Sequence, residues 1–136
     1  MSDRNSGKIF PKGNVVDNNY FSGTAWLEML VTNKEDFDVV IGNVTFEPGV
    51  RNNWHSHPGG QILLCTVGNG YYQEQGKPIQ LLQEGDVVQI EADVVHWHGA
   101  TPDSEFTHVA ISTKVSLGDA VWLDPVTDEE YNSFNS

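Results

Sequence analysis

The fold is indicated most clearly by residues 49–68, which have the sequence GVRNNWHSHPGGQILLCTVG. His55 and His57 are separated by one residue, and alternate side chains of a β-strand share a face, so both imidazoles point to the same side. The turn at residues 58–60 can reverse the chain into an antiparallel strand and bring Gln61 towards them. The stretch therefore predicts a β-hairpin that carries three potential metal ligands.

A second histidine pair, His96 and His98, repeats this spacing on a later segment. That segment must lie across a barrel to complete a shared site, and one of the two imidazoles is expected to bind metal. All five histidines of the chain fall between His55 and His108, a clustering that itself indicates a functional site. Three neutral imidazoles and an amide oxygen suit manganese, iron, nickel, cobalt or zinc better than calcium or magnesium.

The rest of the chain consists of short apolar-rich runs separated by turn residues, which predicts an all-β sandwich or barrel. No helical period of useful length occurs before Thr127, which forms a capping box with Glu130 and predicts a short helix to about Phe134. The expected strands are residues 24–31, 37–46, 61–67, 71–74, 79–82, 86–90 and 106–112.

The length and composition of the chain limit what it can be. Its 136 residues fit one domain, expected at 21–126 between an N-terminal extension (1–20) and a short helix and tail (127–136). Its formal charge of −12 disfavours nucleic acid and membrane surfaces as partners. Cys65 is the only cysteine, so no disulfide can form within the chain, and we expect it to be buried and structural. The N-terminus lacks the apolar core of a signal peptide, so a cytoplasmic location is expected.

The residues described so far resemble the cupin superfamily. The spacing of Gly49, His55, His57, Gln61 and Gly68 matches the first cupin motif, with glutamine in the place of the usual glutamate. Residues 85–96 have the length of the second motif, although Glu91 and Asp93 replace its usual proline and glycine. The resemblance implies a double-stranded β-helix, the cupin jelly-roll barrel, over roughly residues 20–115.

Within that superfamily the chain is similar to the small manganese cupins that include bacterial (R)-selective hydroxynitrile lyases. The similarity rests on residues 54–58, 96–100 and 107–110, on Gln61, and on the segment 126–129. It implies one divalent ion, with manganese expected first, and His98 and His108 as uncoordinated groups that can move protons. The metal ligands that it implies are His55, His57, Gln61 and His96.

A lyase acting on a small carbonyl, cyanohydrin or nitrile is the function we expect first. Four neutral ligands leave the full charge on the ion, which favours Lewis-acid chemistry. His98 shares a face with His96 and is suited to general acid/base work, whereas His108 could equally be a hydrogen-bonded supporting group. The alternatives are a metal-dependent dioxygenase or isomerase, and a cupin that binds a small molecule without turnover. Strand parity places Gly42, Val44, Phe46 and Ser112 around the substrate.

Three residues next to the ligands must point away from the site by the same alternation: Trp54, Ser56 and Trp97. Two outward indoles on a small barrel form a candidate apolar patch, so we expect a homodimer or higher homo-oligomer in which a partner subunit covers them. The alternative is that the N-terminal segment or the C-terminal helix of the same chain packs over them.

Overall fold

The computed structural model describes residues 9–135, so the first part of the expected N-terminal extension, residues 1–8, lies outside the described residues. The described chain forms two antiparallel sheets that face each other, which confirms the expected all-β jelly roll with a short C-terminal helix. The strands are β1 Asn14–Val15, β2 Ala25–Val31, β3 Val39–Phe46, β4 His55–Ser56, β5 Gln61–Gly68, β6 Gly70–Glu74, β7 Gln80–Leu82, β8 Val87–Ile90, β9 His96–Ala100, β10 Phe106–Thr113 and β11 Val121–Trp122. Strand order is β1-β2-β3-β10-β5-β8 in the first sheet and β11-β4-β9-β6-β7 in the second.

The core between the sheets follows from the alternation of apolar residues along the strands. Phe46, Leu63 and Phe106 are fully buried, and Phe46 stacks on Phe106 with ring centroids 6.2 Å apart. Cys65 is also buried, as the sequence predicts, and burial raises the pKa of its thiol to about 12. The thiol is therefore protonated at neutral pH and contributes to packing.

Two motif positions show why the chain turns where it does. Gly68 ends β5 with φ +73°, and a Cβ there would lie 1.8 Å from the carbonyl oxygen of Glu105, so only glycine fits. Asp93, which replaces the glycine of the second cupin motif, takes φ +67°. Aspartate tolerates this left-handed region better than most residues, so the replacement keeps the turn.

Helical structure begins earlier than the sequence predicts. Residues 37–38 were expected to open β3, but Phe37 ends a four-residue helix, α1 Lys34–Phe37, and the strand starts at Val39. Asp38 closes the helix with φ +54°, a left-handed cap that reverses the chain into the strand. A single helical turn has no measurable period, which is why the pattern could not show it.

The C-terminal helix forms where it was expected. Helix α2 spans Asp128–Tyr131 and continues as a 3₁₀ helix over Asn132–Asn135. Both hydrogen bonds of the capping box are present: Thr127 Oγ1 accepts from the Glu130 amide at 3.0 Å, and Glu130 Oε1 accepts from the Thr127 amide at 2.9 Å. None of the helices described, within residues 9–135, is long and apolar enough to cross a membrane.

The chain itself covers the outward face of β9. Trp97 is fully buried, with its ring 5.9 Å from Tyr131 of α2, and the Trp54 indole donates to Glu130 Oε1 at 3.4 Å. Ser56 is buried as well. The expectation that a partner subunit covers Trp97 is therefore wrong, and the alternative, packing under the C-terminal helix, is confirmed. The oligomeric state remains a prediction.

Candidate metal centre

Two paired strands bring the first histidines of the two motifs together. His55 on β4 lies directly opposite His96 on β9, and their ring centroids are 4.2 Å apart. His98, two residues further along β9, faces the same side, as the alternation of a strand requires. One ring nitrogen of each of these three buried histidines lies within 4.8 Å of the others, close enough to hold one metal ion.

Backbone carbonyls fix which nitrogen of each ring is free. His55 Nδ1 lies 2.7 Å from the carbonyl oxygen of Asn53, and His96 Nδ1 lies 2.9 Å from that of Val94. Because a carbonyl oxygen only accepts, Nδ1 must carry the hydrogen in both rings, which leaves the lone pair on Nε2. This is the usual arrangement of metal-binding histidines, whose second nitrogen donates to a carbonyl or carboxylate.

His57 and Gln61 supply two further donor atoms. The expected β-hairpin across residues 58–60 is wrong, because β4 pairs with β9 and β11, whereas β5 pairs with β8 and β10 in the other sheet. Gln61 therefore approaches the histidines from the facing sheet. The ring of His57 lies 5.1 Å from that of His55 and 5.6 Å from that of His96. The Gln61 side-chain amide donates from Nε2 to Ser112 Oγ at 3.2 Å, across the directly paired strands β5 and β10. With the nitrogen so engaged, the carbonyl oxygen Oε1 of Gln61 is left for another partner.

Three of these buried atoms have no hydrogen-bond partner among residues 9–135: His57 Nε2, Gln61 Oε1 and His96 Nε2. An unsatisfied buried polar atom costs about 1–3 kcal/mol, so several near one another in one barrel require an explanation. A divalent transition-metal ion supplies one, because neutral imidazole nitrogens and an amide oxygen are ligands that such ions accept. The residues present therefore fit a metal ion.

His98 and His108 form a pair deeper in the barrel. His108 Nε2 lies 3.1 Å from His98 Nδ1, a distance at which one ring donates to the other. Phe46 packs against both rings, at 5.9 Å from His98 and 5.7 Å from His108. Asn52 Oδ1 accepts the backbone N–H of His98 at 2.9 Å, which holds this part of β9 in place.

Burial is the main cause of the low pKa of every histidine in this group. It lowers the pKa of His96 to about 4 and that of His108 to about 3. The pKa values of His55 and His98 also lie well below 6.5, where repulsion from His96 and His108 respectively adds to burial. Burial lowers the pKa of His57 too, although the neighbouring Gln61 amide opposes the shift. All five rings are therefore neutral at pH 7.

These shifts make the metal-free protein sensitive to acid. Below about pH 6.5 these histidines become protonated in the unfolded chain. In the folded barrel His96 stays neutral down to about pH 4, so protonation favours the unfolded state over this range. Each such histidine then removes up to about 1.4 kcal/mol of stability per pH unit. We expect the urea midpoint of chelator-treated protein to fall steeply between about pH 6.5 and about pH 4. His57→Gln removes one of these groups and should make the fall shallower, whereas a midpoint that stays constant over this range would contradict the shifts.

A cavity of about 200 Å³ opens onto His57, which is less buried than the other candidate ligands. Ser112 lines it, as strand parity predicts, and so does Val40, its partner across β3 and β10, which was not predicted. Gly42, Val44 and Phe46, which strand parity also placed around the substrate, are not among its lining residues. Phe46 is fully buried and contacts the rings of His98 and His108 instead. The rest of the lining includes Lys34, Thr113, Val115, Gly118, Asp119 and Ala120.

Trp122 is a further residue at the site, and its position there was not predicted from the sequence. It pairs directly with His55 across β11 and β4, and its indole lies 4.6 Å from the imidazole at an angle of 31°. Nothing in the local pattern of residues 119–124 marks this tryptophan as part of a site formed some 65 residues earlier in the chain.

The fold and the site together define a small jelly-roll barrel with inward histidines suited to a divalent metal. The sequence matches the family described as the Cupin domain over residues 42–112. This chain therefore belongs to the cupin family.

Similar proteins support the same placement. The chain is 41% identical over 112 residues to a protein of Granulicella tundricola named (R)-mandelonitrile lyase, covering 82% of this chain and 86% of that relative. A cupin-like protein of Thermotoga maritima is 53% identical, and its crystal structure superposes with a TM-score of 0.89 over 92% of this chain and 95% of that one. A second structure from that organism, titled a predicted oxalate decarboxylase, is 20% identical with a TM-score of 0.61, covering 76% of this chain and 84% of that one, and shows the fold alone.

Proposed function

We propose that this chain is a metal-dependent lyase that cleaves a small cyanohydrin, or a similar carbonyl adduct, into a carbonyl compound and its leaving group. The observation that carries the proposal is the position of the neutral His98–His108 pair beside the His55–His96 donor cluster. A group that binds the substrate oxygen and a base that takes its proton are then adjacent. The 41% identical relative named (R)-mandelonitrile lyase supports a cyanohydrin as the substrate class.

The proposed ligands are His55, His57, Gln61 and His96. Three of them present a buried ligand atom that has no hydrogen-bond partner within the described residues 9–135, and in His55 the hydrogen bond from Nδ1 leaves the lone pair on Nε2. We propose manganese as the ion, with iron, nickel, cobalt or zinc also compatible with these donors. When bound, a divalent ion with four neutral ligands supplies Lewis-acid polarisation of an oxygen or nitrile.

The proposed base is His98. Its pKa and that of His108 are lowered by burial, so both rings are neutral at pH 7 and able to accept a proton. If the shared hydrogen sits on His98 Nδ1 and points at His108 Nε2, His98 Nε2 carries a lone pair. His108 then stabilises the charge that develops on His98 when that lone pair takes a proton.

The bond changes of this cleavage balance without any redox partner. The hydroxyl proton of the cyanohydrin moves to His98, and the O–H electron pair becomes the second bond of the carbonyl. The bond between the carbinol carbon and the nitrile carbon breaks, and cyanide leaves with the electron pair of that bond. Return of the proton from His98 to cyanide gives hydrogen cyanide and restores the neutral histidine pair.

The cavity limits the size of the substrate. A volume of about 200 Å³ lies below the range of roughly 300–1,000 Å³ found for drug-sized ligands. Its lining combines small and aliphatic residues with His57, Lys34 and Asp119, which suits a compact molecule that carries a polar group as well as an apolar one. A small aldehyde with one aromatic or aliphatic substituent fits this description.

The test is cleavage of mandelonitrile by purified, manganese-loaded protein. The rate of benzaldehyde formation is measured by its absorbance and compared with the rate without protein. The two enantiomers of the substrate are assayed separately. We expect both to release benzaldehyde above the background rate, and the (R) form to do so faster. Removal of the metal by a chelator should abolish cleavage, and manganese should restore it. Metal-loaded protein that leaves both enantiomers at the background rate would contradict the proposal.

A further inference from the structure

The metal-ligand candidate His55 packs against a part of the chain outside the family match. Trp122 on β11 contacts it, and Tyr20 in turn stacks on Trp122 with ring centroids 4.4 Å apart and planes inclined by 3°. Both residues lie outside the matched segment 42–112. Three aromatic rings therefore run in series, from the half-exposed Tyr20 to the buried imidazole.

Hydrogen bonds from the same two segments hold the strand that carries His55. The Asn53 amide donates to the carbonyl oxygen of Tyr20 at 2.8 Å, and the Asn53 side chain donates to the carbonyl oxygen of Leu123 at 3.2 Å. Trp54 donates to Asp124 O at 3.0 Å and accepts from the Leu123 amide at 2.8 Å. The backbone before His55 is thus fixed on both sides, and Asn53 also supplies the carbonyl for His55 Nδ1.

We propose that Trp122, supported by Tyr20, is a positioning residue for His55. It holds the imidazole plane so that Nε2 is directed towards the other proposed metal ligands. The inference rests on the proposed metal-binding function. The carbonyl of Asn53 fixes one edge of the ring, but a single hydrogen bond leaves the ring free to tilt about it. The indole face removes that freedom, because the imidazole and indole planes lie within 31° of each other at contact distance.

The expected effect is on metal affinity. Partners that orient a metal-binding histidine are worth about 10–100-fold in affinity. Trp122→Leu keeps apolar bulk on β11 but removes the aromatic face, so we expect cobalt or manganese to bind about 10–100-fold more weakly. Trp122→Phe restores a ring at the same place and should return the affinity to within a few-fold of wild type.

Trp54→Leu is the matched control, because Trp54 pairs with the same terminal segment but directs its indole to Glu130 rather than to His55. We expect it to bind metal like the wild type. The measurements are dissociation constants from metal titration and the visible absorption bands of the cobalt form, which report ligand geometry. Circular dichroism and thermal unfolding of the metal-free proteins confirm that each variant is folded.

Wild-type affinity and an unchanged cobalt spectrum in folded Trp122→Leu would overturn the proposal. An equal loss in Trp54→Leu would also overturn it, because the segment that carries Trp122 would then act only through stability. If Trp122→Leu does not fold, Tyr20→Leu tests the contribution of the outer ring. We expect its metal affinity to fall by a few-fold, and an unchanged affinity would overturn the proposal. Wild-type protein that binds metal but does not cleave mandelonitrile contradicts the proposed function alone, since the affinity comparison still stands.

Discussion

Replacing His96 with alanine is expected to remove the metal and the cleavage activity together. His96 is fully buried, faces His55 across paired strands, and presents an Nε2 atom without a partner among the described residues. Loss of a residue that only hydrogen-bonds to a metal ligand weakens metal binding by roughly 10–100-fold. Loss of one of the four ligands themselves should weaken it more. Elemental analysis should find about one manganese per wild-type chain and a residual trace in the variant.

Tyr72→Phe is the control for this experiment. Tyr72 lies beside His96, with ring centroids 5.7 Å apart, and its hydroxyl donates to Glu74 Oε2 rather than into the donor cluster. The variant therefore disturbs the same pair of strands, β6 and β9, without removing a proposed ligand. We expect it to keep its manganese. A His96→Ala protein that is folded and still binds one manganese would show that His96 is not a ligand.

Strand alternation explains why much of the site could be predicted from the sequence. The i, i+2 spacing of His55 and His57, and of His96 and His98, fixes which side chains share a face as soon as the strands are identified. These relations are local in the sequence, so they can be predicted without knowledge of the three-dimensional packing.

What could not be predicted depends on contacts between distant segments. Alternation places Trp97 outside the barrel but does not reveal that Tyr131, more than thirty residues later, covers it. The contact of Trp122 with His55 could not be predicted either, because a single tryptophan in a two-residue strand carries no period. The cavity at His57 is shaped in part by residues 115–120, an irregular segment whose path no pattern in the sequence specifies.

The distinction between a ligand and a base is the question that most affects the proposed mechanism, because His98 lies close enough to serve as either. One of its ring nitrogens is within 4.8 Å of donor atoms of His55 and His96, yet its Nδ1 is already paired with His108 at 3.1 Å. His98→Asn keeps a polar side chain beside His108 but removes the imidazole. If His98 is the base, we expect the turnover rate to fall by about 10²–10⁴-fold while manganese content stays at the wild-type level.

Cys65→Ala provides the comparison for that variant. Cys65 lies opposite His108 on β5 and is buried in the same core, and its thiol stays protonated at neutral pH. It should lose some stability but keep its turnover rate. Loss of manganese in folded His98→Asn would assign His98 to the metal, whereas full activity with full metal would exclude it as the base.

His108→Asn should also reduce turnover, and the double variant should be little worse than His98→Asn, because the effects of two groups that act as a unit are not additive.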